Sequence, residues 1–208
     1  MSARADVAFT TFAPPMTFVD NIDGGGDYIN GSNMSDLALA VSFVPTVSGN
    51  LASIDVGVEG YAATLDGNFN LVLYANNPSG GPLTTGLMTS TLLTDPNPNS
   101  GYGSPSIISS DYSGPLVSLS AGTTYWLALA PADSNTFEYL GLSTLSITAS
   151  VYDSFDGGET YESRYQGTTT GLPAFQVNVS SVPEPSGLAL LTLGVGILLA
   201  RRQRRKAA

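Results

Sequence analysis

The sequence predicts an all-β fold, a single β-sandwich or jelly roll, followed by a short C-terminal transmembrane helix. Between Asp6 and Ser181 apolar and polar residues alternate with the two-residue period of a strand, most clearly at 69–75. Clusters of Gly, Pro, Asn and Asp separate these runs and provide turns. No segment before the tail has the apolar period and caps of an amphipathic helix. Sheets packed face to face are therefore expected.

Eight apolar or alternating runs are the predicted strands. Turn signals follow several of them, notably Asn77 to Pro82 and Asp95 to Gly101, where Gly supplies positive φ and Pro ends strand pairing. In chain order the predicted strands are 37–43, 51–58, 69–75, 87–93, 116–119, 124–130, 145–152 and 174–179.

The C-terminal tail has three parts. Val182, Pro183, Glu184 and Pro185 precede an uncharged apolar stretch at 186–200. A basic cluster follows, made of Arg201, Arg202, Arg204, Arg205 and Lys206. As a helix the apolar stretch is about 22 Å long, most of the roughly 30 Å hydrocarbon core of a bilayer. The basic cluster stays cytoplasmic under the positive-inside rule, so the body is predicted to lie outside the cytoplasm.

An alternative for this stretch is a buried C-terminal helix of a soluble domain. Such a helix needs a polar face, and Thr192 is its one polar residue between Ser186 and the arginines. The uniform apolarity and the basic cluster behind it favour a membrane anchor.

The tail resembles the PEP-CTERM sorting signal of Gram-negative bacteria, with Val182 to Pro185, a helix and an Arg-rich end in that order. This resemblance implies export through the general secretory route and temporary retention in the inner membrane. It further implies cleavage near the Pro-Glu-Pro by an exosortase, its partner, and delivery to the cell surface or extracellular matrix of organisms that make exopolysaccharide. The resemblance concerns the tail alone.

The N-terminus bears on export. Ala3-Arg4-Ala5 has the A-x-A form that signal peptidase reads, and it is followed by a mature start at Asp6. Since no basic start and apolar run precede it, we expect the signal peptide to begin upstream of Met1. The predicted organisation is a signal-peptide remnant at 1–5, a β-sandwich at 6–179, a linker with Pro-Glu-Pro at 180–185, a transmembrane helix at 186–200 and a basic tail at 201–208.

The composition of the body excludes several functions. From Asp6 to Ser181 it holds sixteen acids and one basic residue, Arg164, a net charge of −15. Nucleic-acid binding is excluded because phosphates require Lys and Arg. The chain has no Cys and no His, which excludes Cys and Ser-His-Asp nucleophiles and thiolate or imidazole zinc sites. No catalytic residue is predicted, because Glu59, Glu138 and Glu162 lack any flanking pattern that distinguishes them.

Residues 36–142 resemble the choice-of-anchor type of surface domain, a looser likeness than that of the tail. It is carried by Ala38 to Phe43, by Asn70 to Ala75 with Ser79 to Leu83 after it, and by Leu119 to Leu129. The likeness implies a surface module with exchangeable C-terminal anchors. In its last strand Tyr125 and Trp126 must point to opposite faces, and we expect Trp126 to be a core residue rather than a platform for a sugar.

Two acidic segments with glycines repeat a similar pattern. One holds Asp20, Asp23 and Asp27, and the other holds Asp153, Asp156 and Glu159. Carboxylates on a glycine-bent loop are the hard oxygen donors that Ca²⁺ prefers, although neither spacing is that of an EF-hand. An acidic solvated turn is the competing interpretation. No other cofactor is predicted.

The sequence therefore predicts an exported, non-catalytic bacterial surface or matrix protein associated with exopolysaccharide and biofilm. Three alternatives stay open: a carbohydrate-binding module with structural Ca²⁺, a protein that remains in the inner membrane, and a secreted glycan-active enzyme. The last requires two facing carboxylates in a cleft.

Overall fold

The structure, a computed structural model, describes residues 5–18, 28–30, 37–59, 68–94, 105–134, 136–169 and 171–180. It holds thirteen β-strands in these ranges, and none of the same residues forms a helix long and apolar enough to cross a membrane. The strands are β1 (Ala5–Thr10), β2 (Tyr28–Asn30), β3 (Ala38–Phe43), β4 (Gly49–Glu59), β5 (Asn68–Asn76), β6 (Pro82–Thr94), β7 (Pro105–Asp111), β8 (Ser118–Leu119), β9 (Tyr125–Pro131), β10 (Phe137–Leu140), β11 (Ile147–Ser154), β12 (Glu162–Thr169) and β13 (Phe175–Ser180).

Six strands form one antiparallel sheet in the order β12-β11-β3-β9-β5-β6. The central strand β9 pairs with β3 on one side and with β5 on the other. Both β3 and β9 are buried on both faces, which explains their continuous apolar sequences. Side chains therefore cover both faces at the centre of this sheet.

The other seven strands form a second antiparallel sheet around the long strand β4. On one side β4 pairs first with β13 and then with β10, and on the opposite side it pairs with β8 and β7. Strand β1 pairs with β13, so the first and last strands lie side by side, with Ala5 opposite Ser180.

The main core lies between the two sheets. Leu127 and Leu129 of β9 pack in one cluster with Val177 and Val179 of β13 and with their neighbours. Across the sheets the rings of Phe43 and Phe175 meet edge to face, with centroids 6.0 Å apart. These observations confirm an all-β fold of two packed antiparallel sheets.

All eight predicted runs coincide with strands, with shifted ends. The predicted strand at 116–119 shortens to Ser118–Leu119, because Leu116 is 82% exposed and lies outside the ladder. Strands β1, β2, β7, β10 and β12 were not predicted from the sequence. The predicted helix at 186–200 lies outside the described residues.

Candidate functional site

The last strand that the structure describes leads directly to the tail. Ser180 is the last residue of β13 and lies between Ala5 of β1 and Asn50 of β4. Because β13 is paired on both sides, the fold extends to within two residues of Val182. Ser180, predicted to begin the linker, thus belongs to a strand, as does Ala5, predicted to be a signal-peptide remnant. The sorting residues 182–185 and the basic cluster at 201–206 lie outside the described residues.

The acidic loop after β11 is closed by its own hydrogen bonds. Asp156 Oδ1 accepts from the Ser154 hydroxyl at 2.6 Å and from the Thr160 backbone N–H at 2.9 Å. Its Oδ2 accepts from the Thr160 hydroxyl at 2.5 Å. Gly157 and Gly158 supply the positive φ that the turn requires. The Asp156 carboxylate therefore organises the turn.

These bonds favour the ionised form of Asp156. Hydrogen bonds from Ser154 and Thr160 lower its pKa from 3.8 to about 2. Asp153 behaves differently, since burial raises its pKa while Arg164 opposes that shift, with a guanidinium nitrogen 3.5 Å from Oδ1. The two carboxylates thus have separate partners.

The calcium hypothesis names these same residues. Among the residues that the structure describes, no three His, Cys, Asp or Glu side chains lie close enough together to hold a metal ion. Asp153, Asp156 and Glu159 therefore do not form such a group. Asp20, Asp23 and Asp27 lie outside the described ranges. Calcium binding stays a prediction.

The Asp156 bonds predict a specific acid sensitivity. A carboxyl whose pKa is lowered in the folded state stabilises above its unfolded pKa, and this contribution disappears as the pH falls from 3.8 to about 2. In Asp156→Asn we expect a loss of about 1 kcal/mol at neutral pH, allowing for solvent screening, and a flatter pH dependence of stability over that interval. Urea unfolding at neutral pH measures the loss, and urea unfolding at steps between pH 3.8 and about 2 measures the pH dependence.

Thr160→Val is the matched variant, because it removes one donor and leaves the carboxylate in place. It should show a smaller effect of the same sign. An unchanged acid dependence in Asp156→Asn would contradict this account of the loop.

The two neighbouring aromatic residues of β9 face opposite ways, as predicted. Tyr125 joins the core between the sheets, whereas Trp126 lies on the outer face of the six-stranded sheet. Trp126 is 2% exposed and packs with Ala40, Tyr74 and Tyr152 in a second, smaller cluster. It is therefore a packed residue and not an open stacking platform.

Trp126 is tied into this face by a polar and an aromatic contact. Its indole N–H donates to Asn76 Oδ1 at 2.8 Å. The ring of Tyr152 meets it edge to face, with centroids 4.9 Å apart. Gly81, with φ of +81°, lies against Tyr152, and a Cβ there would be 2.9 Å from the Tyr152 ring. These contacts fix the loop at 77–81 against β11.

A groove of about 300 Å³ opens beside this cluster, and we call it the outer groove. It lies between the 77–81 loop, β9, β11 and β12, and its lining includes Asn76, Gly81, Trp126, Ser150, Tyr152 and Gln166. Among the described residues, no Asp, Glu, Lys or Arg lines it. It therefore combines aromatic and apolar surface with neutral amides and hydroxyls.

The groove was not predicted from the sequence. Asn76 ends β5, Ser150 lies on β11 and Gln166 on β12, and each is an ordinary polar residue in its own segment. The pairing of β11 with β12 and β3, together with the pairing of β9 with β3 and β5, brings them to the same face. The aromatic residues Trp126 and Tyr152 were the one local signal available.

The comparisons with known proteins concern the tail. The family described as the PEP-CTERM protein-sorting motif matches residues 181–205. No curated protein and no solved structure matches the chain. The motif implies an exported protein that is held in the membrane and sorted by an exosortase before its release to the surface. Because the match does not extend into the body, the resemblance to choice-of-anchor domains stays a prediction.

Proposed function

We propose that this chain is a non-catalytic bacterial surface or extracellular-matrix protein that associates with exopolysaccharide. The observation that carries the proposal is the sorting motif at 181–205, which implies export and exosortase processing. The body adds support, since it lacks Cys and His, so that cysteine and Ser-His-Asp nucleophiles are excluded.

In this proposal the tail holds the chain in the membrane until cleavage, and the body is the part that is released. The apolar stretch at 186–200 holds the exported chain in the inner membrane, with the basic cluster on the cytoplasmic side. The Pro-Glu-Pro then lies just outside the membrane and directly after β13, whose last residue is Ser180. Cleavage there separates a folded sandwich from its anchor.

A carbohydrate-binding module is a second candidate, and the outer groove favours it. Binding pockets combine apolar surface with a few placed polar groups, as this groove does. Since Trp126 is buried, binding would depend on the groove's polar lining and on Tyr152 rather than on an open aromatic face.

The sorting step is tested by changing the motif. With its complete signal peptide, the chain carrying Pro183→Ala, Glu184→Ala and Pro185→Ala is expressed in an exosortase-bearing host. We expect the wild type to lose its tail and this variant to keep it in the inner membrane. The wild type in a host that lacks the exosortase is the control and should behave like the variant. Normal processing of the variant would contradict the assignment of the motif.

The association with polysaccharide has a separate test. The same chain is expressed in two hosts that differ only in the ability to make exopolysaccharide. We expect the processed protein to stay with the cells in the producing host and to appear in the medium of the other. An equal distribution in both hosts would contradict the matrix role while leaving the sorting step intact.

A further inference from the structure

We propose that the outer groove binds an electrically neutral glycan. This inference rests on the proposed association with polysaccharide and narrows it to one chemical class and one face of the body. It depends on the charge of the groove, on its hydrogen-bonding groups and on its rigid aromatic wall.

Charge selects the class of ligand. The body carries a net charge of −15, so an anionic polymer is repelled as it approaches. A cationic ligand would be attracted to the body in general, but among the described residues the groove offers no carboxylate to pair with it. An uncharged polymer meets neither obstacle, because the negative body does not repel it and it needs no opposite charge in the groove.

The polar lining suits a ligand rich in hydroxyl groups. Asn76 Oδ1 is occupied by the Trp126 indole, which leaves the Asn76 amide N–H groups to donate. Gln166 has the opposite arrangement, because its Nε2 is held by the Tyr152 and Ser163 hydroxyls and its Oε1 remains to accept. A sugar hydroxyl both donates and accepts, so it satisfies both groups, and the Ser150 hydroxyl adds a further adaptable partner.

The aromatic wall is preorganised. Tyr152 is half-buried and is held by Trp126 on one side and by Gly81 on another. Its ring therefore presents apolar surface to the C–H groups of a sugar at little cost in side-chain entropy. A volume of about 300 Å³ is at the lower end for ligand sites, which fits a short part of a longer chain.

The test uses the purified protein with dextran, mannan and xyloglucan as neutral probes and alginate as the anionic control. Retardation in polysaccharide-containing gels gives the affinity. Trp126 is the chain's single tryptophan, so its fluorescence reports on the groove directly. We expect at least one neutral probe to retard the protein and change the emission of Trp126, and alginate to do neither.

Two variants of nearly unchanged side-chain size identify the site. Asn76→Asp keeps the acceptor for Trp126 but removes the free amide donor, and Gln166→Met removes the acceptor Oε1 while keeping the length of the side chain. Each should weaken neutral-glycan binding about tenfold, the effect of about one lost hydrogen bond. Ser90→Ala, exposed on β6 and outside the groove lining, is the control and should bind like the wild type. Unfolding curves establish that all three variants are folded.

Three results would overturn the inference: no neutral probe binds, alginate binds as well as the neutral probes, or both groove variants bind like the wild type. Failure here differs from failure of the proposed function. Matrix retention in cells with no glycan binding at the groove would reject the groove alone, whereas loss of matrix retention would reject the broader proposal.

Discussion

Phe175→Ala is expected to lower the free energy of unfolding by about 3–5 kcal/mol. Phe175 is 1% exposed and lies at the centre of the core, where its ring centroid is 5.4 Å from that of Phe9 and 6.0 Å from that of Phe43. Truncation removes contacts with both sheets at once and leaves a cavity that rigid strands cannot fill. Urea unfolding of the purified protein, followed by circular dichroism, measures the loss.

Phe155→Ala is the matched control, because Phe155 is 61% exposed in the loop after β11. It should change stability by less than about 0.5 kcal/mol. A loss below about 1 kcal/mol in Phe175→Ala would mean that the two sheets are not packed through this residue.

Gly49→Ala is expected to cost about 2–3 kcal/mol for a different reason. A Cβ at position 49 would lie 2.6 Å from the backbone oxygen of Ser180 and 2.8 Å from Cβ of Val179. Relief requires movement of β13 itself, since the nearest atom belongs to the backbone. The end of the body that leads into the tail would therefore be displaced, and thermal unfolding should reveal the loss.

Gly122→Ala separates this clash from the cost of backbone conformation. Gly122 has φ of +76°, and no heavy atom of the described residues lies within 4 Å of the position that a Cβ would occupy. Alanine there is strained without a steric clash, and we expect a loss of about 1 kcal/mol. If Gly49→Ala costs less than Gly122→Ala, the close approach of β4 to the end of β13 is wrong.

The centre of the six-stranded sheet could be predicted because its residues carry a local signal. Strands β3 and β9 are buried on both faces, which requires continuous apolar sequences, and β5 alternates about its buried Phe69, Leu71 and Leu73. Each pattern is readable within one segment.

The missed strands lack such a signal. In β7 the apolar residues Ile107 and Ile108 are adjacent, so no alternation marks the strand. Strand β12 is an edge strand with Glu162, Arg164 and Gly167, residues typical of protected edges rather than of a core. Strand β1 overlaps a tripeptide that resembles a cleavage site, and its role depends on pairing with β13, far away in sequence.

The same distinction applies to function. The sorting tail is read from adjacent residues, because membrane insertion and charge asymmetry depend on composition over one short segment. The acidic segment at 153–161 is also local in sequence. Its composition does not specify that Ser154 and Thr160 donate to the Asp156 carboxylate, and these hydrogen bonds make Asp156 the residue that closes the turn. The outer groove depends wholly on tertiary pairing and so could not be predicted.

Export followed by removal of the tail is the central claim. Its most direct test is the intact mass of the mature protein, together with its cell fraction, after expression with the full signal peptide in an exosortase-bearing host. We predict a mass that corresponds to a chain ending near Pro185, and we expect this chain in the surface or medium fraction. A mass that corresponds to a chain still carrying Arg201 to Ala208 would contradict the claim if that chain is found in the inner membrane. The protein would then be permanently anchored.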